Sequence, residues 1–188
     1  FSSILPIPGG INLRKLILFI AMSLDGYIAD QNGGVDWLRG QDDSTEENTF
    51  YDVFEKNVDT VIMVWRTYHQ IVTELSPEEW VYSNKKSYVI THKRYPSAEN
   101  IHFVSINPCT LARTLKQEEG KDIWICGGAD IIHQFMLENL IDQYSISIIP
   151  TILGNGIPLF RPAAQEMKLR LIQVKNHHGI TELIYERR

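Results

Sequence analysis

Three stretches of this chain are apolar with no polar alternation: Leu16 to Ala21, Val61 to Val64 and Ile123 to Cys126. A strand with one face in water alternates apolar and polar residues, so an unbroken apolar run belongs to a strand buried on both faces. Such strands occur in parallel sheets, which need crossovers between neighbours and helices over both faces. The chain therefore reads as an α/β domain with a mainly parallel central sheet, helices on both faces, and an antiparallel strand or hairpin at its C-terminal end.

Local signals order the remaining elements. Met22 to Gly34 reads as a loop, with Asp25-Gly26 and Gly33-Gly34 as turns. Ser44-Thr45-Glu46-Glu47 has capping-box spacing ahead of a helix with Phe50, Val53 and Phe54 on one face. The strand Thr60 to Val64 leads into a short helix from Arg66 to Val72. Strands follow at Ser87–Ile90 and Ile101–Val104, and Asn107-Pro108 opens a helix with Leu111 and Leu115 on its inner face. After the strand Asp122 to Cys126, residues Ile131, Ile132, Phe135, Met136 and Leu140 recur at helical spacing. Gln143 to Ile149 is a further strand. Lys168 to Lys175 and Ile180 to Tyr185 pair across Asn176-His177-His178-Gly179. Residues 1–12 are uncharged, contain two prolines and lack the basic start of a signal peptide, so they read as a leader to a single domain at 13–188.

The 188 residues suffice for one core and fall short of two ordinary domains. A net charge of −5 without blocks of like charge argues against nucleic acid or an anionic membrane as partner. Leu16 to Met22, the longest apolar run, is too short to span a bilayer. Cys109 and Cys126 form no metal or redox motif, which fits a cytoplasmic protein. His133, His177 and His178 have no ligand partner at metal spacing, and there is neither a Gly-x-Ser-x-Gly elbow nor a P-loop.

Chemistry gathers at strand ends. Gly127-Gly128 joins a buried strand to a helix, either as a tight turn or as a cradle where backbone N–H groups and the helix dipole meet a phosphate. Ala129 and Asp130 open that helix; the Asp complements the dipole and competes with an anionic ligand. Arg66-Thr67 follows a second strand, offering a forked donor and a hydroxyl, or a merely solvated helix start. Thr91-His92-Lys93-Arg94 follows a third, as an anion contact or a solvated basic turn. Gly154-Asn155-Gly156 lacks the third glycine of a dinucleotide fingerprint and reads as a rim loop.

In that order these strand ends resemble the dihydrofolate reductase superfamily. They are most similar to stand-alone relatives of the riboflavin-pathway (RibD) C-terminal reductase domain. The matching pieces are Ala21 to Ala29, Ile62 to Tyr68, Val89 to His92, Ile125 to Gly128 and Pro150 to Phe160. The resemblance implies a dihydrofolate-reductase-like fold and NADPH lying across the strand ends. Ala21 and Ile28 would border the nicotinamide. Gly127, Gly128, Ala129 and Asp130 would hold the pyrophosphate. Val64, Trp65, Arg66, Thr67, Thr91, His92 and Lys93 would lie along the rest of the cofactor.

The activity implied is hydride transfer to a pterin-like or ribosylaminopyrimidine-like ring, the family-level reaction being reduction of 5-amino-6-(5-phosphoribosylamino)uracil. Asp25 is the expected catalytic residue, binding substrate or ordering the water that supplies a proton; its plain alternative is an Asp-Gly turn residue. Ser23 and Trp37 join it as substrate contacts. Glu46 and Glu47 are weaker candidates for a substrate acid and read better as capping residues. The small-molecule reaction is expected of a homodimer, as in relatives.

Two departures stand out. Val64 occupies a position where the family has Gly, adding a branched side chain beside the cofactor. Phe19 replaces a Lys of the riboflavin-pathway reductase, removing a cation suited to a phosphorylated substrate. They motivate an alternative: a non-catalytic NADP(H)-binding protein or sensor.

Overall fold

The unalternated runs become the middle of an eight-stranded sheet. The computed structural model describes residues 13–41, 49–162 and 166–188. Its elements are β1 (Leu16–Ser23), β2 (Tyr27–Ala29), α1 (Thr49–Glu55), β3 (Val58–Val64), α2 (Trp65–Gln70), a π-helical turn (Ile71–Leu75), β4 (Lys86–Ile90) and β5 (Ile101–Val104). There follow α3 (Pro108–Lys116), β6 (Asp122–Gly127), α4 (Ala129–Leu137), β7 (Gln143–Ile149), β8 (Ile157–Pro158), β9 (Leu169–His177) and β10 (Ile180–Arg187). The main sheet runs β5-β4-β3-β6-β1-β7-β10-β9, and β2 pairs separately with β8. From β5 to β7 all neighbours are parallel. The β9–β10 hairpin adds antiparallel to β7.

Both sheet faces are core. Leu16, Leu18, Ile62, Ile123 and Ile125 pack toward α3 and α4, against Leu111, Leu115, Ile131, Ile132 and Phe135. The alternate residues Ile17, Val61, Met63 and Trp124 pack the other way, with Phe54 and Ile71. A central strand here has no wet face, which explains the missing polar alternation.

Several boundaries differ from the sequence expectation. The supposed loop from Met22 contains the end of β1 and all of β2, because Leu24 N–H donates to Thr151 O (2.8 Å) and Leu159 N–H to Gly26 O (2.9 Å). In α1, Phe50 and Phe54 are buried but Val53 is exposed. Tyr51 takes its place, packing against Phe19 and Trp124 and turning the helix toward the larger rings. The helix after β3 starts at Trp65 and widens beyond Gln70, where Ser76 N–H reaches back to Ile71 O (2.8 Å). Leu140 lies past the end of α4. The hairpin turn tightens to His178-Gly179, with φ values of 48° and 76°, the sense that a two-residue hairpin requires. The leader at 1–12, the capping box and the acids Glu46 and Glu47 lie outside the described residues.

Candidate active site

Adjacent strands β3 and β6 send the chain to opposite faces of the sheet. From β3 it enters α2, whose Trp65 and Tyr68 pack with the Ile17 and Trp124 cluster; from β6 it enters α4 and the other core. Such a switch point opens a crevice at the carboxyl ends of the strands, where α/β proteins bind ligands. A cavity of about 1460 Å³ lies there. That exceeds the roughly 300–1,000 Å³ of a site for one drug-sized molecule.

The floor of the cavity is Gly127-Gly128, joined by a cis peptide, with Gly127 at φ 131°. A Cβ on Gly128 would stand 3.5 Å from Val64 Cγ2 and 3.8 Å from Thr67 Oγ1. Bare backbone thus faces a hydroxyl and one branched side chain. Helix α4 starts immediately, with no side-chain cap. Its first N–H groups, those of Ala129, Asp130 and Ile131, have no partner within the helix. Helix α2 likewise starts uncapped, after Val64. By contrast, α3 is closed by its own Asn107, whose side-chain oxygen accepts from Cys109 N (2.9 Å) and Thr110 N (3.1 Å). Two neighbouring strand ends therefore present open helix starts to one crevice.

Cations stand around this floor. Arg66 lines the cavity in the first turn of α2, its guanidinium against Gly33, where an added Cβ would come within 2.8 Å of Nη2. Gln70 Nε2 donates to Gly33 O (2.9 Å). Asp30 Oδ1 accepts from the N–H groups of Asn32 and Gly34, both at 2.8 Å. Residues 30–38 are thereby folded on themselves and tied to α2 at the mouth. After β4, Thr91 Oγ1 accepts from Lys93 N (3.2 Å), forming the turn that brings His92 and Lys93 to the cavity. His133 and Arg161 also line the cavity. Arg161 pairs with Asp130 at 2.6 Å, an exposed ion pair beside the helix start.

Every residue expected along the cofactor lines this one cavity: Ala21, Ile28, Val64 to Thr67, Thr91 to Lys93, and Gly127 to Asp130. The expected substrate contacts do not. Asp25 Oδ1 accepts from Ser23 Oγ (2.7 Å) and Leu153 N (3.1 Å), and Oδ2 from Gly154 N (2.7 Å). These bonds, the Ser23 hydroxyl foremost, hold the Asp25 carboxyl below its ordinary range. Ser23 is fully buried and also accepts from Tyr27 N (2.9 Å). Ser23 and Asp25 form a latch between the loop after β1 and the loop after β7. Trp37 spends its indole N–H on Gly34 O (3.2 Å), within the 30–38 segment.

Phe19 is accounted for by packing. It stacks on Phe54 (4.2 Å between centroids, 7°) and meets Trp124 edge-on (6.2 Å, 84°). Arg161, His133 and the Ser105–Pro108 turn also line the cavity, although no motif marks them. For Arg161 the one available signal is its place directly after the Pro150–Phe160 motif.

Known proteins share this fold. Residues 58–181 match the RibD C-terminal domain. The chain is 41% identical over 178 residues to the uncharacterized protein YwjB of Bacillus subtilis (strain 168), covering 93% of this chain and 98% of that one. It is 30% identical to the uncharacterized protein YyaP of the same organism, covering 92% and 94%. The crystal structure of a putative riboflavin biosynthesis protein from Shewanella sp. PV-4 superposes with a TM-score of 0.77 at 28% identity, covering 93% and 99%. A diaminohydroxyphosphoribosylaminopyrimidine deaminase/5-amino-6-(5-phosphoribosylamino)uracil reductase from Thermotoga maritima shares the fold, with a TM-score of 0.66 at 15% identity, 94% of this chain matching 57% of that one.

Proposed function

The chain belongs to the RibD C-terminal domain family, and on that premise we propose that it is an NADPH-dependent reductase of a small, flat heterocycle. One observation carries this reading: two open helix starts and the cations Arg66, Lys93 and Arg161 surround a single crevice floored by Gly127-Gly128. NADPH, when bound, supplies hydride to a C=N or C=O bond, and that chemistry is the cofactor's own. The chain's part is to hold and orient. The bare glycine strip would admit a pyrophosphate to the backbone, and the N–H groups of Ala129 and Asp130 would donate to it. Arg66 and Lys93 offer charge to the phosphate that separates NADPH from NADH. Ala21 and Ile28, which line the cavity, would wall the nicotinamide.

A second reading, an NADP(H)-binding protein without catalysis, is favoured by the latch. Asp25 is committed to Ser23, Leu153 and Gly154, and among the described residues Asp130 is the one carboxylate lining the cavity. Calorimetric titration with NADPH and NADH comes first, then NADPH oxidation over pterins, pyrimidines and quinoid compounds. Binding that favours NADPH, with turnover of one panel member, is the expected result. Absence of NADPH binding overturns both readings; tight binding without turnover selects the second.

We place the protein in the cytoplasm on its two free cysteines. No helix among the described residues is long and apolar enough to cross a membrane. Homodimerisation is proposed through β9, the last strand of the sheet, which exposes Leu171, Ile172 and Val174. Sedimentation as a monomer at micromolar concentration would overturn that.

A further inference from the structure

The dipeptide Asn-Gly occurs twice in this chain, at Asn32-Gly33 and Asn155-Gly156. Both pairs stand at the rim of the cavity, which Gly33 and Ile157 line. At Asn-Gly an asparagine side chain closes most readily on its own backbone, because glycine puts no side chain in the way of the attacking nitrogen. Packing fixes both glycines. A Cβ on Gly33, where φ is 87°, would stand 2.8 Å from Arg66 Nη2. A Cβ on Gly156 would stand 2.2 Å from Ala29 O, inside the contact between β2 and β8.

The two pairs have opposite settings. Gly33 N–H donates to Asp30 O (3.0 Å), closing a turn in which Asp30 Oδ1 also accepts from Asn32 N and Gly34 N, both at 2.8 Å. The nitrogen that would attack Asn32 is therefore committed to another carbonyl. Gly156 N instead donates to Oδ1 of Asn155 itself (2.8 Å). That contact holds the backbone nitrogen against the side-chain carbonyl whose carbon it would attack, and such proximity lowers the barrier to ring closure. Asn155 is exposed and lies between Gly154, at φ 74°, and the start of β8. Water reaches the site.

We propose that Asn155 is a site of covalent modification by succinimide formation and hydrolysis, and that Asn32 is shielded from it by its turn. The Gly156 nitrogen gives up its proton and bonds Asn155 Cγ; the Cγ–Nδ2 bond breaks and ammonia leaves. Water then opens the ring. Attack at Cγ yields aspartate with the chain path unaltered. Attack at the main-chain carbonyl yields isoaspartate, whose backbone runs through Cγ. Nothing is oxidised or reduced: water enters and ammonia leaves. Either product puts a carboxylate next to Gly154, whose N–H donates to Asp25 Oδ2 (2.7 Å). Isoaspartate also adds one backbone atom between that bond and the β8 pairing, and so loosens the Ser23–Asp25 latch. The inference requires neither the cofactor nor the reductase reading.

Ageing the full chain in neutral buffer, followed by peptide mapping, tests it. The peptide containing Asn155 should gain the mass of deamidation at least severalfold faster than the peptide containing Asn32, the factor set by opening one hydrogen bond. A purified isoaspartyl methyltransferase should label the Asn155 peptide. In unfolding concentrations of urea the two rates should converge, since the dipeptide is the same. Asn155→Gln keeps an amide but closes a ring far more slowly, and should remove the early mass gain. Hydrogen exchange at the N–H groups of Leu153 and Gly154 should be faster in aged native protein than in aged Asn155→Gln. Equal rates at the two sites in the folded chain, a lead for Asn155 that persists in urea, or absence of isoaspartate from the Asn155 peptide overturns the inference. Unchanged exchange in protein that carries isoaspartate overturns the effect on the latch.

Discussion

Phe19→Lys restores the residue of the riboflavin-pathway reductase, and the structure makes it a costly exchange. The native ring stacks on Phe54 and meets Trp124 and Tyr51 at 6.2 and 6.3 Å. Removing a fully buried Phe costs about 3–5 kcal/mol. Phe19 is half-buried, so about half that loss applies, with about 0.5–1.5 kcal/mol for each aromatic pair partly overlapping it. The net expectation is about 2–4 kcal/mol. For a domain of this size that lowers Tm by roughly 5–15 °C. Urea and thermal unfolding of Phe19→Lys and a Phe19→Leu control measure it, and the control, which keeps apolar volume, should lose less. Binding of ribose 5-phosphate to the folded fraction, followed by calorimetry, should not appear. A Lys variant that melts with the wild type would show that the aromatic cluster carries no weight here. Acquired phosphate binding would show that one residue, not the whole cavity, sets the substrate.

Three further outcomes follow from the same geometry. Val64→Gly removes the Cγ2 that stands over Gly128 and should raise NADPH affinity severalfold in a calorimetric titration; no gain refutes the steric conflict. Asp25→Ala should speed hydrogen exchange at the N–H groups of Leu153 and Gly154, which it now holds, and lower turnover more than cofactor affinity. Unchanged exchange there refutes the latch. Stability should be fully present below about pH 9 and decline toward pH 11. The Cys126 thiol (about 11) and the Tyr51 and Tyr144 phenols (about 12) keep their protons in the folded state, whereas the unfolded chain ionises them nearer 9 and 10. Urea midpoints across that range check the sign, and Cys126→Ser should flatten the early part of the decline.

The fold was legible where burial writes itself into composition. Leu16 to Ala21, Val61 to Val64 and Ile123 to Cys126 had to be covered on both faces, and they became β1, β3 and β6. The strand-end lining of the cavity was legible for a related reason: Gly127-Gly128, Arg66-Thr67 and Thr91-His92-Lys93 lie at the ends of β6, β3 and β4. The rest of the lining was not. Tyr82 meets Cys126, and Leu75 and Leu38 reach the same cavity, through tertiary folding, and no local spacing announces them. The partners of Asp25 were not legible, because an Asp-Gly pair looks alike whether its carboxylate is free or holds two distant N–H groups. Arg161 reaches Asp130 only through the tertiary fold. Val53 shows the limit of helical periodicity, since apolar spacing alone does not say which of two overlapping faces the larger rings will claim.

The split of the cavity between two faces of one sheet also matters for how such a chain changes over generations. The π turn, the segment before β4 and the 30–38 segment line one side, while α4 and the turn after β4 line the other. Mutations can therefore accumulate on one side while the other is held constant.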